Sequence, residues 1–301
     1  MMDSLKRFES YLLHEKRCSE HTLIAYRKDL LQFRSFCEEL EIGFPDDVKV
    51  RDIRSWLANM SIKKIQPSTI NRKLSSVKSF YNFCLRRNLV KENPALNIKG
   101  LKKMRLMPSA VKDSELQNMF DSIYSQIQKE KDAELRFSMI RDLTVLELLY
   151  STGMRRSELI SLTVDELDFS RGTIKVFGKG RKEREIPLSD LLIHKLDHYL
   201  NFRAERVDNS ERALIITDQG KAAYDKFIYL LVKRHLTGHT SLDKKSPHAL
   251  RHSFATHLTE NGAQLPEIKE LMGHTSLAAT EVYLSNSTKK LREIYRDTHP
   301  R

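Results

Sequence analysis

The sequence predicts a mainly α-helical protein of two domains, the second carrying a small β-hairpin or sheet. Three observations predict it. Apolar residues recur at three- and four-residue spacing through most of the first hundred residues, and again from Ser114 onward. The segment 98–111, IKGLKKMRLMPSAV, interrupts that period: it is basic, carries no helical stripe and contains Pro108. Residues 173–188 alternate, turn at GKGRKE and alternate again, which is the pattern of a hairpin. A chain of 301 residues can bury two cores. The expected division is a helical domain over 1–99, a linker over 100–110 and a second domain over 111–301.

Residues 3–17 read as an amphipathic helix with Leu5, Phe8, Leu12 and Leu13 on one side. Ser19 can cap a longer helix, whose stripe runs Leu23, Tyr26, Leu30, Phe33 and Cys37 until GFPDD ends it. A third helix covers 48–60, with Trp56 in the core. Pro67 and Ser68 open a fourth, over 69–87, with Ile70, Leu74, Val77, Tyr81 and Cys84 as its apolar stripe. Arg72, Ser75, Ser76 and Ser79 fall opposite that stripe, with Lys73 and Lys78 on its flanks. Small residues beside cations allow close approach to a DNA groove. Arg72, Lys73 and Lys78 are therefore the expected DNA-binding residues of this domain. The segment 98–111 can pass along a phosphate backbone.

In the second domain Ser114 can cap a helix over 115–129, KEKDAELR reads as a charged surface turn, and 141–150 is an apolar helix. Thr152 and Gly153 break that helix, and Arg155 opens the next. After the hairpin come helices near 189–206 and 220–236, then a polar loop. Pro247 suits a helix start, so His248 and Arg251, three apart, share one helical face. A further helix starts at Pro266 and stops at Gly273, a residue suited to a left-handed cap, so His274 leaves the chain at that stop. Thr275 or Ser276 can cap a short helix that carries Tyr283. Two imidazoles, a guanidinium and a phenol thus look placed to converge on one anion. Residues 285–301 are a short charged tail, too small for a core of its own.

Bulk properties narrow the function. The formal net charge is +12, and it is uneven: residues 51–100 hold 11 Lys and Arg against Asp52 and Glu92, whereas 1–50 hold 8 basic and 10 acidic residues. Such an excess gives affinity for nucleic acid by counterion release. Mean hydropathy is −0.49 and no apolar run is long enough to span a bilayer, so no membrane partner is expected. The N-terminus has no signal-peptide core, and three scattered cysteines suit a reduced cytoplasmic compartment. His248 and His252, at i and i+4 with His257 beyond, have a spacing that can bind zinc, but no cysteine lies nearby and His-Glu-x-x-His is absent. The P-loop pattern is absent too.

The order His248-x-x-Arg251-His252, then Gly273-His274, then Tyr283 nine residues on, resembles the tyrosine recombinase (phage-integrase-like) family, closest to its Xer-type members. TGMRRSEL is similar to the family's first arginine box and supplies Arg155. VFGKGRKEREIPL is similar to its lysine-bearing hairpin and supplies Lys179. The resemblance covers nearly the whole chain. It implies a C-shaped, two-domain DNA clamp and a site-specific recombinase working through a 3′-phosphotyrosyl intermediate. Its implied catalytic set is Arg155, Lys179, His248, Arg251, His274 and Tyr283, with Glu158 orienting Arg155. It implies no cofactor, neither metal nor ATP. It further implies a tetramer on a double-stranded recombination site, homomeric or shared with a paralogue, a tail that docks on a neighbouring protomer, and a regulator such as a DNA translocase, in a cytoplasmic, nucleoid-associated setting. Chromosome dimer resolution is the expected role. DNA inversion or mobile-element integration is the alternative within the family, type IB topoisomerase chemistry the alternative within the reaction class, and a non-catalytic DNA-binding accessory protein the alternative outside it.

Overall fold

A computed structural model describes residues 4–102, 110–178, 183–208 and 210–273, without the side chains of His21 and Leu265. Two compact units divide the chain, 1–106 and 107–301. Several expectations lie outside the described residues: most of the linker (103–109), the hairpin tip with Lys179, and everything from His274 on, including Tyr283 and the tail.

The first unit contains α1 (Ser4–Ser10), α2 (Glu20–Glu39), α3 (Val50–Ile62) and α4 (Pro67–Arg86), and α1 runs into a single π-helical turn, Tyr11–Glu15. Leu5, Phe8 and Leu12 are buried as their spacing requires, but Leu13 is 48% exposed. The wider π turn rotates Leu13 away from the stripe that an α-helix would have continued. Phe8, Phe33, Phe80 and Trp56 meet in the core. Each such side chain contributes roughly 1.5–3 kcal/mol on burial.

The fourth helix departs most from expectation. It packs against α1, α2 and α3 together, so both borders of its apolar stripe are covered. Lys73 is buried: Nζ donates to Gln32 Oε1 and lies 5.9 Å from the Trp56 ring centroid. Burial lowers its pKa. Ser76 is buried as well, donating at 2.8 Å to Asp29. Lys73 and Ser76 therefore serve the interior, not a DNA-facing surface. Arg72, Ser75 and Lys78 keep exposure, Arg72 paired with Asp29 and Lys78 donating to the Leu96 carbonyl at 3.2 Å.

The second unit contains α5 (Asp113–Lys129), α6 (Ala133–Thr152), α7 (Arg156–Ser161), β1 (Leu167–Asp168), β2 (Thr173–Phe177), β3 (Glu183–Pro187), α8 (Asp190–Ala204), α9 (Asp225–His239), α10 (Pro247–Glu260) and α11 (Leu265–Met272). The centre is α6, packed by α5, α8, α9 and α10 and buried all round from Leu143 to Thr152. It begins earlier than its apolar run suggests. Asp132 caps it by accepting from the Glu134 and Leu135 amides, which makes the second half of the expected surface turn helical. The sheet is antiparallel in the order β1-β2-β3, with Ile174 opposite Ile186 and Val176 opposite Arg184. Strand β1 has two residues, too few for alternation to announce it. Among the described residues no helix is long and apolar enough to cross a membrane.

Candidate active site

The site begins where α6 ends. Gly153 closes that helix at φ +58°, and a Cβ there would sit 2.3 Å from the Phe254 ring. Only glycine satisfies both the left-handed backbone and this approach. Because Phe254 belongs to α10, the close approach also sets Arg251, one turn earlier on the same helix. Arg251 is 5% exposed, and its guanidinium donates to the Gly153 carbonyl and, at 2.7 Å, to the Met272 carbonyl. Burial first, then repulsion from Arg155 and Arg184, brings its pKa down to about 10, so it stays charged at neutral pH.

Arg155 caps α7. Its backbone N–H donates to Glu158 Oε2 at 2.7 Å, its Nη1 donates to Oε1 at 2.7 Å, and its Nη2 donates to the Gly273 carbonyl at 3.2 Å. Glu158 is only 3% exposed. Burial pushes its carboxyl up, but bonds from Arg184 and Arg155 outweigh that and hold it below the usual range. Glu158 and Arg155, three residues apart, are thus in direct contact.

Arg184 was not legible as a member of this group from sequence boxes. It donates Nη2 to Glu158 Oε2 at 2.9 Å, Nη1 to Oε1 at 3.1 Å and Nε to the Leu271 carbonyl at 2.9 Å. A signal existed. Alternation along EREIP puts Arg184 on the face of Ile186, opposite buried Val176, and a cation on an apolar face needs a partner.

Three consecutive carbonyls at the end of α11, those of Leu271, Met272 and Gly273, therefore each receive a guanidinium, from Arg184, Arg251 and Arg155 in turn. These are carbonyls that a helix end leaves without intrahelical donors. Gly273 adopts φ +63°, the left-handed cap its position called for. His248 lies exposed on the first turn of α10. His257, on the same helix, is buried and bonded to the Tyr150 hydroxyl at 2.9 Å, a core role. Among the described residues no group of three His, Cys, Asp or Glu side chains is placed to hold a metal ion. Arg72 and Lys78 belong to the other unit.

Residues 117–290 match the phage integrase family, and residues 5–88 match the N-terminal SAM-like domain of phage integrases. The chain is 38% identical to tyrosine recombinase XerC of Chlorobaculum parvum, covering 98% of this chain and 94% of that one. It is 32% identical to tyrosine recombinase XerD of Staphylococcus haemolyticus, covering 99% and 98%. The fold is similar to that of the XerH site-specific recombinase bound to a palindromic difH substrate, with a TM-score of 0.72 at 22% identity over 97% of this chain and 84% of that one. It is also similar to the Tn1549 transposon integrase in complex with circular intermediate DNA, with a TM-score of 0.70 at 22% identity over 97% and 98%. With both structural segments matched and relatives aligned end to end, the chain belongs to the phage integrase family, as a Xer-type tyrosine recombinase that breaks and rejoins DNA at specific sites.

Proposed function

We propose that strand breakage runs through Tyr283, with the scissile phosphate of a double-stranded recombination site held by Arg155 and Arg251. One observation carries this reading: the two arginines, one from each half of the unit's sequence, donate to adjacent carbonyls of the turn that immediately precedes His274. In the pentacoordinate transition state, negative charge gathers on the non-bridging oxygens, and guanidiniums bind such oxygens bidentately. The Tyr283 Oη attacks phosphorus as the bond from phosphorus to the 5′-oxygen breaks. Ionising a free phenol at pH 7 costs roughly 4 kcal/mol, from a pKa of ~10. Adjacent cations lower that cost, and His248 takes the proton as attack proceeds. Lys179 returns a proton to the departing 5′-oxygen, and His274 donates to the phosphate. The product is a 3′-phosphotyrosyl ester with a free 5′-hydroxyl. Phosphodiester energy is conserved in it, so rejoining needs neither ATP nor metal.

Strand exchange between two duplexes needs four active sites, so the working unit is a tetramer on DNA, of this chain alone or shared with a paralogue. The tail 285–301 docks on the neighbouring protomer, and residues 100–110 link a helical DNA-binding domain, 1–99, to the catalytic domain. Relatives named XerC and XerD support chromosome dimer resolution as the role, under a regulator such as a DNA translocase.

The test has two stages. DNA retained by the Tyr283→Phe protein is sequenced, and a nicked suicide duplex carrying that sequence is incubated with the unmutated protein. The expected result is a covalent adduct that Tyr283→Phe abolishes. No adduct would leave a DNA-binding accessory protein as the better account. Relaxation of plasmid without site preference would point to topoisomerase action.

A further inference from the structure

We infer that Arg184 is a positioning residue for strand cleavage, setting Arg155 through Glu158 and fixing the turn that leads to His274. This rests on the catalytic reading of Arg155 given above. Arg184 ties three chain segments together: the hairpin strand β3, α7 through Glu158, and the end of α11 through the Leu271 carbonyl. Each segment leads into or holds one of the proposed catalytic side chains. Lys179 precedes β3, Arg155 caps α7, and His274 follows Gly273.

The geometry also decides how Glu158 treats Arg155. Arg184 occupies the carboxylate side-on, one guanidinium nitrogen on each oxygen. Arg155 is left with one side-chain bond to that carboxylate, Nη1 to Oε1, and is 39% exposed, against 14% for Arg184. Glu158 is shared by the two cations, so it orients Arg155 without cancelling its charge. Close packing holds the arrangement: a Cβ on Gly273 would lie 2.8 Å from Arg184 Nη1. Without Arg184, Glu158 is free to take Arg155 side-on, drawing its guanidinium away from the phosphate.

The probe is the nicked duplex carrying the sequence recovered with Tyr283→Phe. Arg184→Met should slow adduct formation at saturating protein by roughly 10- to 100-fold, the scale set by misplacing a reacting group. Its affinity for the same duplex should stay within about threefold, because the loss falls on the transition state. Arg184→Lys should recover part of the rate, since it restores charge without the fork. The double variant Arg184→Met with Glu158→Gln should be no slower than the slower single variant, because both act through one contact. An unchanged rate in Arg184→Met overturns the inference. So do strictly additive losses, or rate and affinity falling in parallel. If Arg184→Met fails to fold by circular dichroism, Arg184→Lys carries the test: a slower adduct at unchanged affinity supports the inference, and an unaltered rate overturns it. Absence of any adduct with the unmutated chain sinks the parent reading, and this one with it. An adduct there with an unchanged rate in Arg184→Met sinks this one alone.

Discussion

Asp29 in the first unit and Glu158 in the second are both buried carboxylates paired with arginine, and the two are built differently. Asp29 is 1% exposed and accepts on Oδ2 from Arg72 and Ser76, while its Oδ1 has no hydrogen-bond partner among the described residues. Glu158, as buried, takes two donors on each oxygen. In the first unit one guanidinium, that of Arg72, bonds the carboxylate, and the buried Lys73 ammonium feels its charge as well. In the second, one carboxylate stands among Arg155, Arg184 and Arg251, so the cluster stays cationic even when its hydrogen bonds are met. The second leaves positive charge uncompensated, the charge that the proposed reading assigns to the scissile phosphate, and the depressed Arg251 pKa records part of its cost.

The sharpest way to break this comparison is to remove both carboxylates. Glu158→Leu should cost roughly 3–5 kcal/mol of stability, because it strands buried cations. Asp29→Leu should cost about 1–3 kcal/mol, since Arg72 is half exposed and can turn to water. Equal losses in thermal or urea melts would erase the distinction.

Acid tests the second carboxylate next. The folded Glu158 pKa lies below its ordinary 4.5. A depressed carboxylate contributes stability above its unfolded pKa and loses it as pH falls through the folded value. The melting-temperature gap between the unmutated protein and Glu158→Gln should therefore be constant from neutral pH down to about 5 and narrow below that. A gap that widens in acid would reverse the sign of the argument.

Smaller effects are expected in the first unit. Arg72→Ala should change the slope of log affinity against log salt by less than ~1, as its charge is committed to Asp29. A full unit would place Arg72 on a phosphate. The smallest change belongs to Lys73→Met: gel-shift affinity for duplex should be unaltered, and stability should move by no more than about 1 kcal/mol, the worth of one hydrogen bond. Weakened DNA binding there would mean that the buried ammonium swings out.

Helix positions were legible wherever a stripe, a cap and a stop agreed. The fourth helix and the Gly273 cap are the clearest cases, because a glycine free to adopt positive φ and a run of apolar residues at helical spacing are local facts. The width of a buried face was not legible. Lys73 and Ser76 looked external by periodicity, and they turned inward because α2 covers that border of α4. Asp132 illustrates the converse: a charged stretch read as a turn hid an N-cap. At the site, the pairing of Glu158 with Arg155 was implied by the family resemblance, whereas Arg184 joined them from another strand, and only the alternation of EREIP hinted at it.

The order of the chemistry-bearing residues, the helices that begin at Arg155 and Pro247, and the glycines at 153 and 273 that stop helices were determined by the sequence alone, since period, capping and backbone freedom act over a few neighbours. Only the tertiary structure decided that Arg155 reaches the Gly273 carbonyl across 118 positions and Arg251 the Gly153 carbonyl across 98. The reason is physical. A buried guanidinium must find acceptors, and which ones lie within reach depends on how α6, α10 and α11 pack, a property no single stretch of the chain contains.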